Sequence, residues 1–147
     1  MKLKTPLRYP GGKSRAVPKL LQWLPSREIT EYREPFLGGG SMAIEMTRRL
    51  PEEVPIWVND LYEPLYNFWI QLRDNGDYLH SELMRAKNFH PDEDSARELF
   101  LESKENLNDS KRSQEDRAVD FYIINKCSFS GLTESSSFSK AASNSNF

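Results

Sequence analysis

"EYREPFLGGGSMAIEM", residues 31–46, carries three patterns in succession. Its front reads as a short strand. Gly38, Gly39 and Gly40 follow as a loop. From Ser41 a helix is expected to about Leu50, because Met42, Met46 and Leu50 recur every fourth residue and share one inward face. Shortly after comes "PIWVND", residues 55–60. A nearly continuous apolar run closed by Asn59 and Asp60 is how a buried parallel strand reads. Strand, glycine loop, helix and strand make one βαβ unit. The fold class is therefore α/β.

The loop also carries chemistry. Gly38, Gly40 and Ala43 match the G-x-G-x-x-G/A dinucleotide pattern, in the strand-to-helix context that pattern needs. Glycines there let backbone come close to a ligand. Asp60 ends the second strand some twenty residues on, where a carboxylate can accept the two hydroxyls of a ribose. It is equally placed to cap a helix over 61–73. A glycine-rich turn without a ligand is the plainer reading of the loop.

Upstream lies "LRYPGGKS", residues 7–14. Gly12, Lys13 and Ser14 resemble the end of a phosphate-binding G-x-x-x-x-G-K-[ST] loop, but Leu7 stands where its first glycine belongs. A ligand with an adenosine end and no phosphate fits better. S-adenosylmethionine has a sulfonium cation and an amino-acid tail. Lys13 can neutralise the carboxylate of that tail. Tyr9 can set an aromatic face near the cation or the base. Gly11 and Gly12 allow a tight backbone turn. The alternative is a plain turn ahead of the helix predicted over 14–24, where Val17, Leu20, Leu21 and Leu24 recur at helical spacing. Ser14 would cap that helix, Pro18 falls in its first turn, and Pro25 ends it.

Beyond Asp60 the pattern turns helical. Leu61, Leu65, Phe68, Trp69 and Leu72 form one stripe, closed by "DNG" at 74–76. Helices are expected over 77–88, 94–105 and 113–126. The last has Val119, Tyr122, Ile123 and Lys126 near one face. From Ser128 the chain is rich in serine and reads as loop or disorder.

The chain has 147 residues, one cysteine (Cys127) and two histidines. That is one domain's length with a real core. A lone cysteine excludes an internal disulfide. His80 and His90 lack metal-site spacing, so no metal is expected. No apolar run approaches a bilayer span, and no signal-peptide core opens the chain. The expectation is a cytoplasmic protein without a membrane partner. Net charge is −2 but uneven. Residues 1–50 are strongly basic and the remainder acidic, so the N-terminal segment could meet a polyanion; solvated helix faces would account for it as well.

"LRYPGGKS", then "EPFLGGGS", then "VNDLYEPLYNFW" and "FYIINKCSFSGLTESSSFS" together resemble the Dam-type, alpha-class family of adenine-specific DNA methyltransferases. The resemblance covers nearly the whole chain, and the paired motifs at this spacing are specific. It implies an incomplete Rossmann-like S-adenosylmethionine-dependent methyltransferase fold with a helical insertion. Residues 1–75 would be a partial cofactor domain. Residues 76–147 would be a helical segment and the start of a target-recognition region. By position, Tyr9, Gly11, Gly12 and Lys13 match the family's first cofactor segment. Phe36, Gly38, Gly39 and Gly40 match the loop beside the methionine part, and Asp60 the acid on the ribose. Asn125, Lys126, Phe129 and Ser130 match the segment leading into contacts with double-stranded DNA.

One feature departs from the family. Its catalytic Asp-Pro-Pro-Tyr motif is missing, since no two of the nine prolines are adjacent. The amine of adenine is a poor nucleophile, because its lone pair is delocalised into the ring. The base must be flipped, stacked and hydrogen-bonded to react. The resemblance therefore implies the N-terminal part of such an enzyme, with no catalytic residues in this chain and no methylation by it alone. A separate chain carrying the motif is a further expected partner. Two other readings stay open: a non-catalytic DNA-binding remnant, and a fragment of a nicotinamide-dependent oxidoreductase using Gly38, Gly40 and Asp60.

Overall fold

The computed structural model describes residues 3–131, 133 and 135–147. It is a helix-rich mixed chain with a small parallel sheet. Contacts divide it into two compact units, Met1–Leu61 and Tyr62–Phe147.

The first unit runs through a 3-10 turn (Lys13–Arg15), α1 (Val17–Leu21), β1 (Tyr32–Glu34), α2 (Ser41–Arg49) and β2 (Ile56–Val58). The strands are parallel, with Tyr32 opposite Ile56 and Glu34 opposite Val58. The expected βαβ unit is thus present. Met42 and Met46 point inward as their spacing required and join Val17, with Tyr32, Ile56, Leu50 and Leu21 packed around them. The helix expected over 14–24 is instead broken into the 3-10 turn and α1. Pro18 has no N–H to give the Ser14 carbonyl, so one α-helix cannot run through both. β2 also differs from the buried strand expected. Trp57 is 49 % exposed and Val58 is exposed too. An apolar strand is buried only when neighbours cover its edges and faces, and the sheet has two strands among the described residues.

The second unit holds α3 (Glu63–Asp74), α4 (Gly76–Phe89), α5 (Glu93–Asn106), α6 (Gln114–Cys127), a 3-10 turn (Phe129–Gly131) and α7 (Lys140–Asn146). α6 is the central element and packs against α3, α4, α5 and α7. Phe121 lies 5.6 Å from Phe68, centroid to centroid, and Phe68 stacks on Tyr122 at 5.7 Å. Arg117 joins three segments: its guanidinium pairs both oxygens of Glu63, and its Nε donates to the Leu107 carbonyl. Ser113 caps α6, and Asp92 and Ser95 form a capping box on α5.

The apolar stripe expected from Leu61 to Leu72 is trimmed at both ends. Pro64 fixes the start of α3, so Leu61 lies outside the helix and is 90 % exposed. Leu72 is exposed as well, while Leu65 and Phe68 are fully buried. The serine-rich tail contains a helix where loop or disorder was expected. Ser139 accepts the Ala142 N–H as its cap. Phe138 packs edge-on against Phe100, and its residue bridges to Ser128. Serine suppresses a helix inside it but favours one when it stands at the cap. Among the described residues no helix is long and apolar enough to cross a membrane.

Candidate functional site

Within the Met1–Leu61 unit, the two glycine segments line one cavity of about 260 Å³. Every residue expected to touch a cofactor lies on it: Tyr9, Gly11, Gly12, Lys13, Phe36, Gly38, Gly39, Gly40 and Asp60. Hydrogen bonds hold the walls. Leu37 N–H donates to the Asn59 carbonyl at 2.8 Å, and Asn59 N–H to the Glu34 carbonyl at 3.0 Å. Gly38 N–H donates to Asp60 Oδ2 at 2.9 Å. The end of β2 therefore fastens the loop that follows β1. The N-cap of α3 is Tyr62, with no side-chain bond.

The glycines make room for a residue of the protein itself. A Cβ on Gly38 would stand 3.0 Å from Tyr9 Cε1, and one on Gly39 would stand 2.9 Å from Tyr9 Cβ. A Cβ on Gly12 would meet the Tyr9 carbonyl at 2.9 Å. Gly11, Gly38 and Gly40 also have positive φ, which a side chain would strain. Tyr9 is thus the wedge between the two segments. Burial, and then the Asp60 charge, push its hydroxyl above the usual tyrosine range.

Three residues outside the expected cofactor set, Ser14, Ser41 and Glu34, complete the site. Ser14 and Ser41 hydroxyls meet at 2.7 Å and clasp the two segments together. Each serine closes a glycine run, "GGKS" and "GGGS", and that shared ending was the available signal. Glu34 is a buried carboxylate on the cavity wall. Burial raises its pKa, opposed by Lys13, by the Tyr32 hydroxyl and by the Ala43 N–H. Tyr32 donates to Glu34 Oε2 at 3.2 Å, and Lys13 Nζ stands 3.9 Å from Oε1. Lys13 thereby has a carboxylate near it on the cavity wall. Phe36 leaves its ring 78 % exposed at the cavity rim.

The residues expected to approach DNA lie in the other unit. Phe129 is 67 % exposed and Ser130 is held at φ 60, an unusual backbone for a non-glycine residue. Asn125 is buried, and its amide donates to the Gly131 carbonyl at 2.9 Å. It shapes the turn rather than lying on its surface. Lys126 Nζ sits over the Tyr122 ring, 5.1 Å from the centroid. Among the described residues no cluster of His, Cys, Asp and Glu is arranged to hold a metal.

The model of the D12 class N6 adenine-specific DNA methyltransferase family matches residues 9–145. The chain belongs to that family. It is 26 % identical over 140 residues to the type II methyltransferase M.MjaIII of Methanocaldococcus jannaschii, covering 90 % of this chain and 48 % of that protein. It is 28 % identical over 128 residues to the type II methyltransferase M1.LlaDCHI of Lactococcus lactis subsp. cremoris, covering 85 % of this chain and 41 % of that protein. This family member therefore spans about half the length, or less, of these curated relatives.

Proposed function

We propose that the chain is the N-terminal part of a DNA adenine methyltransferase, in which the Met1–Leu61 unit holds S-adenosylmethionine and the turn at Phe129–Gly131 meets duplex DNA. The reaction of the whole enzyme is methyl transfer to the exocyclic amine of adenine. The observation that carries this reading is the joint cavity of "LRYPGGKS" and "EPFLGGGS", closed by the Gly38–Asp60 bond. A phosphate-binding G-x-x-x-x-G-K-[ST] loop would have its first glycine where Leu7 stands. This cavity instead offers a carboxylate, an ammonium and aromatic faces, which suit a ribose, an amino-acid carboxylate and a sulfonium in turn.

The donor set fits the cofactor, and its size fits one end of it. Pockets that enclose a drug-sized ligand run from about 300 to 1,000 Å³, above the cavity here. When bound, S-adenosylmethionine supplies an electrophilic methyl group. Asp60 would accept from the ribose hydroxyls while keeping the Gly38 N–H. Lys13, steadied by Glu34, would pair with the carboxylate. Tyr9 would keep the two glycine segments apart and present its ring. On this reading β1, α2 and β2 are the start of a Rossmann-like sheet, and the helices from α3 onward are the insertion leading to target recognition. Because α3 packs on α6, we draw the functional division at Leu61–Tyr62 rather than at residue 75.

The chain carries no Asp-Pro-Pro-Tyr, so we expect no transfer of tritium from labelled cofactor into DNA by the purified 147-residue protein. Incorporation above background would refute that. Addition of a second polypeptide carrying the motif should be required for activity. Calorimetric titration should give weak, saturable S-adenosylmethionine binding that Asp60→Ala abolishes. NAD should not bind, and a thermal shift with NAD but not S-adenosylmethionine would move the assignment to an oxidoreductase.

A further inference from the structure

A cavity in the helical unit lies away from everything used above. It measures about 540 Å³ and lies among α4, α5, α6 and the loop before α6. Leu99, Val119 and Ile123 give it an apolar wall. At its floor sit two polar side chains that the fold leaves incompletely bonded. Ser103 is 1 % exposed and its Oγ has no hydrogen-bond partner. It lies close enough to Asp120 to favour the charged carboxylate, but not in hydrogen-bonding geometry. Asp120 is buried, and its Oδ2 is 2.9 Å from Arg112 Nε, again off the hydrogen-bonding line. The Arg112 guanidinium offsets the charge of that carboxylate, while the buried Ser103 hydroxyl has no partner in good geometry, which costs stability unless something bonds to it.

The charge of the walls selects the donor. Glu82, Glu102, Asp116 and Asp120 line the cavity against two cations, Arg85 and Arg112. Arg85 is engaged by Glu82, and Arg112 by Asp120. Asp116 accepts from the Tyr78 hydroxyl at 2.6 Å but keeps its charge, and Glu102 is exposed at the mouth. His90 is turned to the Ala86 carbonyl. The excess is negative, so an anion is disfavoured.

We propose that this cavity binds a linear aliphatic diamine. One ammonium donates to Asp120 Oδ2 and Ser103 Oγ on the floor. The methylenes lie on Leu99, Val119 and Ile123. The second ammonium meets Glu102 and Asp116 at the mouth. An alkylammonium has the three donors that two under-bonded acceptors can use, and an apolar stem that the wall can cover. Asp120 must be ionised to take it. Burial raises that carboxyl to about 6, so affinity should fall as pH drops through this value. The charged groups around Asp120 are Glu82, Arg85 and His90 from α4, Glu102 from α5, Arg112 from the loop and Asp116 from α6.

The test is calorimetry of the full chain with 1,4-diaminobutane, alongside amide chemical-shift mapping. One saturable site is expected well above pH 6, with shifts confined to α4, α5 and α6. Affinity should fall by up to about tenfold for each pH unit below 6. Asp120→Asn should abolish binding, and Ser103→Ala should weaken it with the fold intact by circular dichroism. 1,4-Butanediol, of equal length and no charge, should not bind. Equal binding of the diol, undiminished diamine binding in both variants, or no saturable shift in the wild-type chain would each overturn the proposal.

Discussion

The Met1–Leu61 and Tyr62–Phe147 units are held together by different means. Of the largest fully buried side chains among the described residues, only Met46 belongs to the first unit; Phe68, Phe100, Phe121, Leu65, Leu107, Ile123 and Ile124 all belong to the second. The first unit keeps Trp57 half exposed and gives its inward space to glycine segments, a tyrosine wedge and backbone hydrogen bonds. The second unit is a conventional helical core around α6. A unit of about 60 residues is marginal on burial alone. The comparison teaches that side-chain volume decides stability in one half of the chain, and backbone shape in the other. The family's chemistry is expected to sit in the half with less core.

The sharpest way to break the comparison is Phe68→Ala. Phe68 is fully buried and touches Trp69, Phe121 and Tyr122. Truncation should cost about 3–5 kcal/mol through lost burial and the cavity left behind. Hydrogen exchange should show the loss throughout α3 and α6. If denaturation by urea shows a change below about 1 kcal/mol, α6 is not the core element described here.

These differences also explain what the sequence could reveal. Helical periodicity exposed α2 to α6, because an amphipathic helix writes its buried face into its spacing. The βαβ order and the cavity residues were legible for a similar reason: glycine runs and strand-ending acids are local patterns. Burial of β2 was not legible, because an apolar run does not say how many strands flank it. The wedge role of Tyr9 needed three dimensions, since its contacts lie some thirty positions away. Glu34 looked like a strand residue until Lys13 was found beside it. Asn125 shares a segment with Phe129, yet one is buried and the other displayed, and only the turn between them decides that. α7 was masked by serine composition, although Ser139 carried a cap signal.

Acidity should separate the units next. Burial raises the Asp120 carboxyl from 3.8 to about 6, with Arg112 opposing. The protonated form is favoured in the fold, so this contribution is full below pH 3.8 and is lost as pH rises through about 6. The shift corresponds to about 3 kcal/mol at most. Asp74, Asp92 and Asp116 in the same unit are lowered by hydrogen bonds, so their losses fall below pH 3.8. In the second unit the slope between pH 4 and 6 therefore belongs to Asp120, and Asp120→Asn should flatten it; burial raises Glu34 of the first unit as well, so the two units must be read separately. In the first unit Glu45 behaves oppositely. Arg48 and Arg49 hold it at about 2, so its contribution is present above pH 4.5 and lost as pH falls towards 2. Glu45→Gln should remove that acid loss and leave the Asp120 slope alone. Corrected amide protection in α2 and α6 reads the two separately. A single common slope in both helices would mean that the units respond to acid as one.

The smallest effect probes backbone shape directly. Gly38 has φ +52, and a Cβ there would press on the Tyr9 ring at 3.0 and 3.3 Å. Gly38→Ala should therefore cost about 1–2 kcal/mol for the left-handed conformation, plus a further term for the ring. Tyr9→Ala removes the ring and leaves the backbone conformation. In that background Gly38→Ala should keep only its conformational cost, and the double-mutant cycle should give a favourable coupling of about 0.5–1 kcal/mol. Gly39→Ala differs in a useful way. Its Cβ would meet Tyr9 Cβ at 2.9 Å, an atom that Tyr9→Ala retains, so no rescue is expected there. Rescue at Gly38 without rescue at Gly39 locates the ring as the wedge. Rescue at neither would mean the segments are separated by the Tyr9 backbone, and the first unit would then owe its shape to the turn at Gly11 and Gly12 rather than to an aromatic side chain.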